Sequence, residues 1–251
     1  MKKMKYFFSC IFFVLLMSFN IFASSSKTTT FSEFISSCYT EENFRAYDKK
    51  GVDITTKFLT ETASFYNTKN FDAIEEYAER NVGRFACVDI KEIFTRAGKS
   101  VTINGWDAPF ISYEEGIAHA AGYVKVDMTG KYTCDIMTGE VLSTSDPTIN
   151  FIEYVEFNPR WKMTTKRVST RSYINGSGMY ANFEASVMVH GETTLEAGAE
   201  VSVLTCADFS ADDVDAYDAI AFGCPAMGAE VSADFGTVKA TIRGTADGIE
   251  Y

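Results

Sequence analysis

The chain has 251 residues, of which 46% are hydrophobic and 23% are charged, values typical of a globular protein. Its formal net charge of -11 argues against nucleic acid or an anionic membrane as a partner. The charge is unevenly distributed, because residues 192–251 hold 12 Asp and Glu against 2 Lys and Arg, while residues 1–191 hold 22 and 21. This asymmetry predicts a boundary near residue 192.

The first 23 residues have the pattern of a bacterial secretory signal peptide. Lys2, Lys3 and Lys5 precede the apolar run YFFSCIFFVLLMSFNIFA, and Ala23 offers a small residue for cleavage before a serine run. The apolar run is short for a membrane span and is interrupted by Ser and Asn. We therefore expect an exported protein, periplasmic or extracellular, with no stable membrane span after cleavage.

Helical periodicity follows in the first part of the predicted exported domain, residues 24–191. Apolar residues recur at helical spacing over Ile54–Phe65 and again over Phe71–Ala78, where Asn70 can cap the second helix. A third helix is predicted over residues 88–97, ended by Gly98.

Extended segments follow from Gly116 onward. They are IAHAAGYVKVDM, KYTCDIM, EVLSTS, INFIEYVEF, RWKMTTKRVSTRSY and MYANFEASVMVH. The turn-forming pairs between them are Thr129-Gly130, Thr138-Gly139, Asp146-Pro147, Asn158-Pro159 and Asn175-Gly176. Consecutive strands with short connections favour an antiparallel meander or sandwich, so the predicted fold class is α+β, with N-terminal helices packed against the sheet.

Few residues of this domain suggest catalysis. His119 and His190 are each possible general bases, but neither has a motif partner, and a structural role fits both better. The adjacent carboxylates of Glu75-Glu76 and Glu114-Glu115 would point in different directions. Five cysteines remain after signal cleavage, so at least one thiol is unpaired within the chain. They are Cys38, Cys87, Cys134, Cys206 and Cys224.

The acidic C-terminal part contains the most specific stretch, YDAIAFGCPAMGAE at residues 217–230, preceded by LEAGAEVSVLTCADFSADDVDAY at 195–217. These residues resemble the flavodoxins, from the second strand of that family to the loop beside the flavin, over about residues 195–231. The resemblance implies a partial flavodoxin-like α/β segment within residues 192–251. It also implies an FMN contact by Pro225, Ala226, Met227 and Gly228, with Met227 against the flavin ring. Asp212, Asp213, Asp215 and Asp218 lack the spacing of a calcium loop and fit a solvated connection better.

Two functions remain open. The family's phosphate-binding loop is not recognisable, since residues 179–191 alternate apolar and polar residues as a strand does. We therefore expect an exported, non-catalytic binding or cell-envelope protein, with an unknown ligand or partner and no cofactor. The alternative is an FMN-dependent electron-transfer protein. If the tail has lost the family's sheet order, Cys206 and Cys224 can approach each other and form a disulfide after export.

Overall fold

The structure is a computed structural model that describes residues 27–95, 98–115, 118–157, 161–194, 230–246 and 248–249. The predicted signal peptide at residues 1–23 lies outside the described residues. So do the predicted flavin contacts Pro225, Ala226, Met227 and Gly228, and the pair Cys206 and Cys224.

The described part is mostly β, with three helices and two sheets, which agrees in outline with the α+β class. The helices are α1 (Phe31–Cys38), α2 (Thr55–Asn67) and α3 (Phe71–Asn81). The strands are β1 (Lys27–Thr30), β2 (Phe44–Asp48), β3 (Val82–Thr95), β4 (Gly98–Glu115), β5 (Ala118–Cys134), β6 (Val141–Glu156), β7 (Lys162–Ile174), β8 (Tyr180–Thr194), β9 (Glu230–Thr245) and β10 (Gly248–Ile249).

The strands form a six-stranded sheet of order β1-β6-β5-β4-β3-β2 and a four-stranded sheet of order β10-β9-β8-β7. Strands adjacent in sequence pair antiparallel from β2 to β6 and from β7 to β10, while β1 pairs parallel with β6. One hydrophobic core joins the helices to the six-stranded sheet, and a second joins the two sheets. The described chain therefore has three layers, with the six-stranded sheet in the middle.

The helix layer is positioned by capping and by aromatic packing. At the start of α1, the Thr30 hydroxyl accepts the Glu33 N–H at 3.3 Å, and the Glu33 carboxylate accepts the Thr30 N–H at 3.4 Å. Phe34 of α1 is buried, with its ring centre 5.6 Å from that of Phe85 and 5.7 Å from that of Trp106. These contacts anchor the helices on β3 and β4.

The core between the sheets depends on the period-two pattern of β8. The apolar members of that pattern are fully buried against the six-stranded sheet; they are Ala181, Phe183, Ala185, Val187 and Val189. The sheets approach closely at Gly130 of β5, where an added Cβ would lie 2.7 Å from the Phe183 ring. A side chain at position 130 would therefore push the sheets apart.

The helix predictions were confirmed in two of three places. Helices α2 and α3 form where predicted, and the Asn70 side chain accepts the Ala73 N–H at 3.3 Å. The third helix, over residues 88–97, was wrong, because these residues belong to β3 as far as Thr95 and pair with β4. Val88 is buried and Asp89 is exposed, an alternation that the hairpin satisfies better than a helix does. Helix α1 was not predicted.

The hairpin at Asn175-Gly176 was also confirmed, since it joins β7 to β8. Two other predicted turns were wrong. Thr129-Gly130 lies inside β5, and Asp146-Pro147 lies inside β6, opposite a register shift. Gly130 serves the packing of the two sheets, and Pro147 fits an irregular position of the strand pair. These turn-forming residues thus lie in strands, because contacts between strands and sheets determine their positions.

The boundary predicted at residue 192 falls within β8, two residues before its end. Strand β9 pairs with β8 from Tyr180↔Thr245 to Thr194↔Glu230. Residues 230–245 therefore lie in the same sheet as residues 180–194. The segment that resembles flavodoxins, apart from its last residues, is the connection between these two paired strands.

Candidate functional site

A buried carboxylate, Asp107 of β4, lies between the two sheets. Its neighbours Trp106 and Ala108 belong to the core beneath the helices, so alternation along the strand directs Asp107 to the four-stranded sheet. The residue is 0% exposed. A charged side chain in this position requires partners from the facing sheet.

Asp107 has one polar partner in each of the two sheets. Its Oδ2 accepts the backbone N–H of Thr241, on β9, at 2.7 Å. Its Oδ1 lies 3.5 Å from Nε of Arg84, on β3, and accepts no hydrogen bond from the described residues. Burial raises the pKa of Asp107, while Arg84 and the N–H groups of Thr241 and Ala108 lower it. Burial has the larger effect, and the resulting pKa is about 7. The carboxyl group therefore titrates near neutral pH.

A groove of about 420 Å³ opens beside this pair, between the β2–β3 end of the six-stranded sheet and β9. Its lining includes three cationic residues, Lys49, Arg84 and Arg243, of which Lys49 places its ammonium 5.3 Å from the Phe110 ring and Arg243 donates from Nε to Asn182 at 2.9 Å. Asp48 also lines the groove, but its Oδ1 accepts the N–H groups of Lys50 and Val52 at 2.8 and 2.9 Å. The groove thus offers an excess of positive charge in a concave site.

Two local features shape the groove. The guanidinium of Arg84 lies over the Tyr47 ring at 4.1 Å, which holds its plane while 32% of the side chain stays exposed. Gly83 allows the chain after β2 to approach, because a Cβ there would lie 2.7 Å from the Lys49 Cα. Arg84 is therefore oriented from one side by Tyr47 and from below by Asp107.

A second, more open depression of about 870 Å³ lies at the start of α2. Its lining includes Arg45, Asp53, Thr55 and Glu61. The Asp53 carboxylate, two residues before the start of α2, already accepts the N–H and hydroxyl of Thr55 at 2.8 and 2.6 Å. This depression contains no buried polar atom that awaits a partner among its described lining residues. We regard the groove at Arg84 as the candidate site.

The two histidines that the sequence offered as general bases lie in different sheets. His119 lies in β5 opposite Glu114 in the strand register. His190 of β8 has a carboxylate companion that the sequence did not reveal, since Nδ1 lies 2.7 Å from Oδ1 of Asp234 on β9. The same oxygen accepts a hydrogen bond from Lys166 at 2.8 Å. His190 therefore belongs to a surface ion-pair cluster.

Two of the three described thiols are poor nucleophiles. Cys38 and Cys87 are buried and form no disulfide within the described part of the chain. Burial raises the pKa of Cys38, and burial together with the Glu41 carboxylate raises that of Cys87. Both thiols are therefore neutral at physiological pH.

Asp107 and Arg84 were not among the residues selected from the sequence. One signal was present, because Asp107 stands between Trp106 and Ala108 in a strand whose inward positions Val101, Ile103 and Ile111 are apolar. Its partner Thr241 follows 134 positions later. The strand pairing that brings them together has no local sequence signature.

No known family model, curated protein or solved structure matches this chain. In the part of the chain that the structure describes, no helix is both long and apolar enough to cross a membrane. The same residues contain no group of three or more His, Cys, Asp or Glu arranged to hold a metal ion.

Proposed function

We propose that this protein is an exported, non-catalytic binding protein of the cell envelope or its surroundings, and that the groove at Arg84 holds an anionic group of its ligand. The observation that supports this most directly is the position of Arg84, which lines a concave site beside a buried carboxyl group, with Lys49 and Arg243 as further cationic residues of the lining. Cationic side chains in a partly enclosed site attract and orient carboxylate, sulfate or phosphate groups.

Arg84 is the central residue of this proposal. Its guanidinium is stacked on Tyr47 and paired with Asp107, so little side-chain entropy remains to be lost when it binds a ligand. An anion in the groove would compete with Asp107 for Arg84. The loss of that ion pair, together with the added negative charge, would raise the pKa of Asp107 further and favour its protonation. Binding of an anion and uptake of a proton are therefore coupled in this proposal.

The proposal assigns no catalytic role to the thiols of Cys38 and Cys87. Cys38 and Cys87 are enclosed in the core and neutral, so neither offers the thiolate that nucleophilic catalysis needs. The export part of the proposal is based on the sequence of residues 1–23.

The first experiment measures binding of sulfate to the purified chain by calorimetry, with acetate as a carboxylate probe. Sulfate is chosen because it does not titrate near pH 7. We expect a dissociation constant of about 1 mM or lower at low ionic strength. Arg84→Gln should weaken binding at least about tenfold. Lys49→Gln, which touches neither Asp107 nor Tyr47 in the described contacts, should weaken it about threefold.

The matched control is Lys50→Gln. Lys50 is exposed and adjacent to Lys49 but does not line the groove, so its substitution removes the same charge from outside the site. Binding should change less than about twofold. Absence of sulfate and acetate binding would contradict the proposal, and so would equal weakening by Lys49→Gln and Lys50→Gln.

The alternative function is electron transfer by FMN, implied by the resemblance of residues 195–231 to flavodoxins. In that case Pro225, Ala226, Met227 and Gly228 would contact the flavin. The test is whether the purified chain is yellow or takes up added FMN. We expect a colourless protein that leaves FMN fluorescence unchanged, whereas near-stoichiometric loading with quenched fluorescence would favour the alternative.

A further inference from the structure

The outer face of the four-stranded sheet is the side turned away from the inter-sheet core. Its residues on β8 alternate with those that face the inter-sheet core; they are Tyr180, Asn182, Glu184, Ser186, Met188, His190 and Glu192, of which Asn182 and Glu184 are buried. The strand register places residues of β7 and β9 on either side of each of these. The face is therefore a three-strand surface along the length of β8.

Positive charge predominates on this outer face. Its described cations are Lys162, Lys166, Arg167, Arg171, Lys239 and Arg243. Its described acidic positions are Glu184, Glu192, Asp234 and Glu230, which is opposite Thr194 in the register. Six cationic and four acidic residues thus occupy this face in a chain whose net charge is -11. The face thus has the opposite sign to the molecule as a whole.

Most of these cations remain available for a ligand. Arg171 pairs with Glu184 at 2.5 Å, and Lys166 pairs with Asp234 at 2.8 Å. The other four cations are exposed and more than 4.0 Å from every described carboxylate oxygen; they are Lys162, Arg167, Lys239 and Arg243. Arg243 donates from Nε to Asn182 at 2.9 Å, and the charge of Lys239 contributes to lowering the pKa of Glu184.

Two aromatic rings lie among the cations. The Arg171 guanidinium is 5.3 Å from the Tyr173 ring, and that of Arg243 is 5.5 Å from the Tyr180 ring. Tyr173 is 40% exposed. Its hydroxyl donates to Glu184 at 2.8 Å, while Arg171 donates to the other oxygen of the same carboxylate. The Tyr173 ring and the Arg171 guanidinium are therefore held in place before any ligand binds.

We propose that the outer face binds an acidic polysaccharide of the uronic acid class. Arginine forks and lysine ammonium groups match carboxylates repeated along a polymer. The tyrosine rings provide flat apolar surfaces for the C–H faces of sugar rings, and their hydroxyls can hydrogen-bond to sugar hydroxyls. A flat face accommodates a polymer, which a small closed pocket would exclude.

The acidic character of the whole chain is compatible with this partner. The Debye length is about 8 Å at physiological ionic strength, so charges elsewhere on the molecule are largely screened from the outer face. The proposal is independent of the groove, because only Arg243 belongs to both surfaces.

The test measures binding of polygalacturonate to the full chain at low and physiological salt, with neutral galactan as the uncharged control. We expect binding of polygalacturonate only, and weaker binding as salt is raised. The double variant Arg167→Gln/Lys239→Gln should weaken it at least about tenfold. These two residues have no ion-pair partner in the described structure, so their loss should leave the fold intact.

Matched controls separate a specific face from general charge. Lys91→Gln/Lys131→Gln removes two exposed cations from the six-stranded sheet and should change binding less than about twofold. Tyr173→Ser removes the ring but keeps a hydroxyl, and it should weaken polygalacturonate binding about threefold or more. Unchanged binding in Arg167→Gln/Lys239→Gln would overturn the proposal.

Other occupants of the face give different results. Equal binding of polyglutamate or of an oligothymidylate of matched charge would show that charge alone is recognised, and would overturn the polysaccharide class. Absence of binding to every polyanion at low salt would also overturn it. Failure of this test leaves the sulfate experiment on Arg84 and Lys49 unaffected.

Discussion

The carboxylate of Asp107 accepts the backbone N–H of Thr241 at 2.7 Å, and so joins the middle of the six-stranded sheet to the open edge of β9. The opposite edge has an equivalent contact, since Asp146 of β6 accepts the backbone N–H of Ser172, on β7, at 3.1 Å. Strand β7 and the part of β9 that β10 does not cover thus each have an N–H group satisfied by an aspartate from the other sheet. Such contacts protect edges that would otherwise pair with other chains.

Replacing Asp107 tests the first contact. Asp107→Ala leaves the Thr241 N–H without its acceptor and Arg84 without its counter-ion, and we expect a loss of about 1–3 kcal/mol in the free energy of unfolding. Asp146→Ala, the control at the exposed edge, should cost less than about 1 kcal/mol. Urea denaturation measures both. Equal losses in the two variants would contradict the central position assigned to Asp107.

The pH dependence of stability follows from the raised pKa of the same residue. Its pKa is about 7 in the folded chain, against an ordinary value of 3.8, so the folded state binds the proton more tightly than the unfolded state. The resulting stabilisation is complete below pH 3.8 and is lost as the pH rises through about 7. The shift corresponds to up to about 4 kcal/mol. Burial raises the pKa of Glu156 to about 7 as well, with the same sign.

Asp107→Asn isolates this effect, because the amide can still accept the Thr241 N–H but does not titrate. Between pH 5 and pH 8 the free energy of unfolding should fall more steeply in the wild-type chain than in Asp107→Asn. Parallel pH profiles for the two proteins would show that Asp107 titrates at its ordinary value.

Gly130 tests the packing of the sheets. A Cβ at this position would lie 2.7 Å from the Phe183 ring, so we expect Gly130→Ala to cost about 1–3 kcal/mol of unfolding free energy. Combining it with Phe183→Leu should recover part of the loss. Gly176→Ala is the control, since its Cβ would meet nothing within 4 Å. A cost at Gly176 as large as that at Gly130 would argue against sheet contact as the cause.

The reactivity of the cysteines can be predicted for the core and for the C-terminal segment. Cys38 and Cys87 are buried, so they should resist alkylation until the chain unfolds. Cys206 and Cys224 should form a disulfide under mild oxidation if the C-terminal segment has lost the flavodoxin strand order. Peptide mapping by mass spectrometry measures both. Rapid labelling of Cys38 in the folded protein would contradict its place in the core.

Local patterns in the sequence predicted those parts of the fold that are determined locally. Asn70 caps α3 and Asn175-Gly176 turns the chain, because each acts through its own neighbours. Gly130 and residues 88–95 were misjudged, since their positions are determined by Phe183 and by β4. The site depends entirely on such distant contacts. Arg84, Asp107 and Thr241 come from three strands in two sheets, and no spacing in the sequence records their meeting.

The coupling of anion binding to Asp107 is the most direct test of the central proposal. Calorimetric titration with sulfate at pH 7, in buffers of different ionisation enthalpy, measures the protons taken up on binding. We predict fractional proton uptake by the wild-type chain, tighter binding at pH 6.5 than at pH 8.5, and no uptake by Asp107→Asn. Binding of sulfate without proton uptake, or with the same uptake in Asp107→Asn, would contradict the assignment of Arg84 and Asp107 to one anion site.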